Sequence, residues 1–89
     1  MLGAPRPNPT HGSSRVELTL PVTSFVRAEV IDLSGRRIAT LASETFSAGT
    51  HSLAWDGHTA RGGPAAPGIY LVRVKWSGFE STQRIVRLQ

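Results

Sequence analysis

The chain has no cysteine. That absence removes disulfide staples, thiolate metal sites and thiol redox chemistry, so the fold must rest on its packed core alone. No apolar run approaches the ~20 residues of a membrane-spanning helix, and no stretch shows the 3.6-residue period of an amphipathic one. The opening MLGAPRPNP lacks the charged start and apolar segment of a secretory signal. Acidic residues are scarce, six against ten basic ones, which gives a net charge of +4. No basic run is longer than the Arg36-Arg37 pair, and so scattered a set argues against a dedicated nucleic-acid patch.

What remains is an ordinary globular composition. Hydrophobic residues make up 39% and charged residues 18% of 89, far from the balance of a disordered chain. A domain of this size buries only roughly 60% of the surface of its unfolded chain, so one thin core is available. Residues 1–14, MLGAPRPNPTHGSS, hold three prolines and two glycines without an aliphatic pattern, and are expected to form a linker. The folded domain is expected over 15–89.

From Arg15 the pattern turns strictly alternating. RVELTLP places Val16, Leu18 and Leu20 on one face until Pro21 stops the ladder. FVRAEVIDLSGRRIATLAS reads as a hairpin: Val26, Ala28 and Val30 point inward on its first arm, and Ile38 and Leu41 follow on its second. In the DLSG turn, Asp32 accepts from turn amides and Gly35 supplies a left-handed conformation. The second arm is expected to fray into SETFSAG. Gly49 then admits a strand with His51, Leu53 and Trp55 on one face, and GIYLVRVKW, after Gly68, puts Tyr70, Val72, Val74 and Trp76 together. The SG pair at 77 and 78 is a turn, and FESTQRIVRLQ is the closing strand. Short strands punctuated by turn residues every 8 to 12 positions predict an all-β, immunoglobulin-like sandwich of about seven antiparallel strands.

Chemistry is sought first in WDGHTARGGPAAPGIY, residues 55–70, where Asp56 and His58 stand beside a glycine-rich run. Nothing but closeness in sequence joins them, and turn chemistry accounts for the pair: Asp56 caps a turn opened by Gly57 and leaves His58 in solvent. A metal set of His51, Asp56 and His58 has no recognised ligand spacing. GHTARGG lacks the Lys-Ser/Thr end of a phosphate loop. Trp55, Trp76 and Tyr70 read as core rather than as a stacking platform, because so small a domain needs the ~150 to 250 Å² that each ring buries. No catalytic residue, metal or cofactor is expected.

The order of PNP (Pro7, Asn8, Pro9), VIDLSGRRIATL, SAGTHSLAWDG, PGIYLVRV and QRIVRL resembles the C-terminal sorting domain of the type IX secretion system. The same core resembles the immunoglobulin-like module of flagellar hook-capping proteins, to which such domains are related. The resemblance runs over residues 7–89, with Gly49, Trp55, Asp56, Gly57, Gly68 and Tyr70 as its most specific positions. Arg84 where Lys is usual and two extra prolines, Pro64 and Pro67, are departures.

The sorting resemblance implies a non-catalytic address. A larger passenger, covalently upstream and carrying its own signal, would cross the periplasm, and its terminal domain would be recognised by the outer-membrane translocon. A surface protease would then cut in the linker, leaving the passenger at the cell surface or outside the cell. The strand Arg84, Ile85, Val86, Arg87, Leu88 is the expected recognition element, through free backbone groups at a sheet edge. The alternative is a structural or adhesive module of the hook-cap or surface-protein type. Neither reading involves nucleic acid or a small-molecule substrate.

Overall fold

A computed structural model describes residues 1–89. It contains six strands and no helix: β1 Ser14–Leu20, β2 Ser24–Asp32, β3 Arg37–Phe46, β4 Gly49–Trp55, β5 Gly68–Trp76 and β6 Phe79–Arg87. β1 and β4 pair in one sheet, and the other has the order β3-β2-β5-β6; every ladder is antiparallel. The immunoglobulin-like sandwich therefore stands, with six strands in place of seven.

Alternation explains how the sheets face each other. Val16, Leu18 and Leu20 from β1 and Leu53 and Trp55 from β4 meet Val26, Ala28 and Val30 from β2, Tyr70, Val72, Val74 and Trp76 from β5, and Ile85 from β6. All are buried. Because successive side chains alternate between faces, a one-residue slip of any of these strands would expose its whole apolar set.

The turns hold that register. Ser77 and Gly78 form a two-residue connection between β5 and β6, with φ of 45° and 80°, the positive values of a type I′ hairpin turn. Between β2 and β3, Asp32 Oδ1 accepts from the Ser34 hydroxyl at 2.6 Å and from the Ser34 and Arg36 amides at 3.0 Å each. The Ser34 and Arg36 bonds, with the Arg36 charge, hold the Asp32 carboxyl below its usual pKa.

Three expectations are corrected here. The position for a seventh strand, beside β1, is taken by residues 1–6, which make isolated bridges from Leu2 to Leu18 and from Arg6 to Arg15. Proline has no N–H to give a ladder, so an N-terminal stretch interrupted at Pro5 and again at Pro7 and Pro9 docks through separate contacts instead. For the same reason 1–14 is not a loose linker: Leu2, Thr10 and Ser14 are 6%, 2% and 3% exposed. The second hairpin arm does not fray after Leu41. β3 continues to Phe46, which pairs with Ser24 across two bulges and sets its ring against His51 at 4.8 Å.

Candidate functional site

The stretch after β4 closes upon itself. Asp56 Oδ1 accepts from the His58 amide at 2.9 Å, while the His58 carbonyl accepts from Trp55 Nε1 at 2.9 Å. Further along, Thr59 donates its amide to Gly63 O and Ala65 to Gly57 O, both at 2.8 Å. Ala60 donates to Ile38 O at 2.9 Å, which ties the loop to β3. Tyr70 Oη donates to Ala66 O at 2.6 Å, and its ring meets Trp55 edge to face at 5.2 Å. Asp56 and His58 themselves are exposed, with Nδ1 and Oδ1 3.5 Å apart. Their polar groups are engaged in shaping a turn around a buried indole, and no third group completes a relay.

The other histidines lie elsewhere. His11 Nδ1 is 2.6 Å from Gln89 O, and His51 Nε2 is 2.7 Å from Ser47 O. No three His, Asp or Glu side chains converge as a metal set would. Gly35, Gly49 and Gly68 all have positive φ, at 87°, 121° and 150°, at the β2–β3 turn and at the starts of β4 and β5.

The closing strand differs most from its expected role. β6 lies at the edge of the four-stranded sheet, yet the backbone of its second half is not free. Asn8 stands in for a strand: its Nδ2 donates to Arg84 O and its Oδ1 accepts from the Val86 amide, both at 2.8 Å. Thr10 continues the pairing, donating to Val86 O at 2.9 Å and accepting from Leu88 N at 2.7 Å. The strand ends at Arg87, and Leu88 lies beyond it.

Nor do the two arginines of β6 share a role. Arg84 is exposed, with no side-chain partner, but Arg87 shares the inward parity of Ile85 and is only 9% exposed. Its Nε donates to Ala65 O and its Nη1 to Gly12 O, each at 3.0 Å, and its guanidinium sits 5.9 Å from the centre of the Trp55 ring. Gly57 packs directly on that guanidinium, where a Cβ has no room. Arg87 thus joins the N-terminal segment, the loop and the core indole. The sequence reading missed this, although counting by twos from Ile85 puts residue 87 on the inner face.

On the opposite face of the same sheet, register brings together Arg27, Glu29, Arg73, Lys75 and Arg84. Glu29 is bound by Arg73 at 3.1 Å and Arg37 at 3.5 Å. Burial pushes its carboxyl up, but the hydrogen bonds and charge of Arg73, with Arg37 and Arg27, outweigh burial and hold it below the ordinary value.

The family model of the FlgD Ig-like domain matches residues 8–78, most of the chain. The chain belongs to that family. The match starts at Asn8, inside the segment that closes the edge of β6, and ends in the β5–β6 turn, so it covers Asn8 and the whole WDG loop and stops short of β6, to which Asn8 bonds. Comparison with curated proteins and with solved structures gives no match.

Proposed function

We propose that this FlgD Ig-like domain is a non-catalytic structural module that holds its place within a larger assembly by its surfaces. The observation that carries this reading is the family match over residues 8–78, together with where the motif residues go. Trp55, Asp56, Gly57 and Tyr70, the positions most suggestive of a site, are spent on packing and on turn bonds.

The structural reading is preferred to the type IX sorting signal for a physical reason. Recognition by strand addition needs unpaired backbone groups, and those of Arg84, Val86 and Leu88 already meet Asn8 and Thr10. The test is a fusion of residues 1–89 to the C-terminus of a periplasmic reporter in a host carrying the type IX machinery. A folded, protease-resistant domain with the reporter kept in the periplasm is expected; surface display of the reporter would reverse the preference.

A further inference from the structure

The β1–β4 sheet has one edge that its own chain does not close. In β1, Thr19 donates to Met1 O, Gly3 donates to Glu17 O, and Arg6 and Arg15 exchange both amide bonds. The odd residues of β1 therefore face the N-terminal segment, and its even residues bond to β4. From the register, Gly49, His51, Leu53 and Trp55 are the β4 residues bonded to β1. By alternation the N–H and C=O groups of Thr50, Ser52 and Ala54 point away, along an edge that no strand covers.

Across the sandwich, β3 is likewise the outermost strand of its sheet, and where β4 ends a cleft of about 620 Å³ lies between these two strands and the loop at 56–62. Ala39, Leu41, Ala54 and Trp55 line it. Glu44 pairs with the inward-facing Val26 and so lies on the inner side of β3, yet it is exposed and has no cation beside it. Two other edges are covered by the chain's own first residues: residues 8–10 lie along the second half of β6, and residues 1–6 along β1.

The geometry points to the β4 edge as an acceptor for one extended strand of a partner protein, laid antiparallel beside β4 and over the inner face of β3. Three residues with outward backbone groups, two apart, call for a peptide backbone of the same spacing. The partner residues opposite His51 and Leu53 point inward. Those facing Ala39 and Leu41 are small and apolar, and one facing Glu44 is Lys or Arg. This inference stands on the open edge and is independent of which assembly holds the module.

The probes are two acetylated hexapeptides, Thr-Val-Thr-Lys-Thr-Val and its counterpart with Glu in place of Lys, titrated into the 89-residue chain with amide exchange read by NMR. The Lys peptide is expected to slow exchange at Thr50, Ser52 and Ala54 at least ten-fold at saturation, and to bind about three- to ten-fold more tightly than the Glu peptide. Ser52→Pro deletes an edge N–H that β1 does not use, so it should weaken binding at least ten-fold while the chain stays folded, as proline is tolerated at such edge positions. Should that variant unfold, Glu44→Lys serves instead, and it should reverse the preference between the peptides. Three results would overturn the proposal: no binding of the Lys peptide up to 1 mM, protection appearing at Glu80 and Thr82 of β6 instead, or β4 amides protected by self-association of the chain without peptide.

Discussion

Replacing Arg87 by methionine isolates the guanidinium, because the aliphatic stem that packs beneath it is largely kept. Two bonds to carbonyls, at 3.0 Å each, are lost. Bonds from a charged donor contribute about 1.5 to 3 kcal/mol apiece, and the contact with the Trp55 ring adds about 0.5 to 1 kcal/mol. Some of this is offset, since the Gly12 carbonyl lies in an exposed turn and is rehydrated, whereas Ala65 is 5% exposed and its carbonyl is not. A net loss of about 3 to 5 kcal/mol follows.

That is a large share of the roughly 4 to 13 kcal/mol total expected for 89 residues. With a urea slope of about 1 to 1.5 kcal/mol/M, the unfolding midpoint should fall by at least ~2 M. Arg84→Met is the matched control, on the same strand with the same charge removed, and should stay within ~0.5 kcal/mol of the parent. Equal midpoints for the two variants, or a larger effect at Arg84, would refute the assignment of Arg87 to the core.

Gly57→Ala combines a Cβ at a φ of 82° with a collision against the Arg87 guanidinium, and should cost about 2 to 4 kcal/mol by urea unfolding, where His58→Ala costs under ~0.5 kcal/mol. Asn8→Ala removes both bonds to β6 and should lower stability by about 1 to 2 kcal/mol, with amide exchange at Val86 accelerating more than at Ile85. Glu29 has a native pKa below its unfolded value of ~4.3, so its contribution is complete above that pH and is lost as pH falls through the lower native value. The gap in urea midpoint between the parent and Glu29→Gln should accordingly be wide at pH 7, begin to narrow as pH falls below the ordinary carboxylate value, and close only once pH passes the lower native value.

The strands were legible because a two-residue period leaves its mark on neighbouring letters. Val16, Leu18 and Leu20, or Tyr70, Val72, Val74 and Trp76, announce an inner face without knowledge of what lies opposite. Turn chemistry is equally local: Asp32 reaches Ser34 and Arg36, and Asp56 reaches His58, within four residues. The sequence does not carry the partner of a side chain 75 or more residues away, as for Arg87 with Gly12 or Asn8 with Arg84. Prolines concealed the N-terminal segment, since a chain unable to form a ladder looks like a linker. A carboxamide that both donates and accepts nevertheless serves as one link of a strand.

These two misreadings have one origin, and it changes how the end of the chain should be tested. Residues 8–10, from the supposed linker, close the edge of the last strand. Cutting residues 84–89 to probe an address would therefore also remove Ile85, which is 1% exposed, and the Arg87 clamp. Loss of Ile85 alone costs about 2 to 5 kcal/mol in comparable cores, so failed display of the truncated chain would report unfolding rather than a missing signal. A substitution that keeps the core and frees the edge separates the two. In Asn8→Ala the Arg84 carbonyl and the Val86 amide are released, while Ile85, Arg87 and the Thr10 bonds to Val86 and Leu88 stay in place. If the final strand is an address, this variant should enhance surface delivery of a fused passenger; a purely structural module predicts no delivery by either parent or variant, with the stability change as the sole effect.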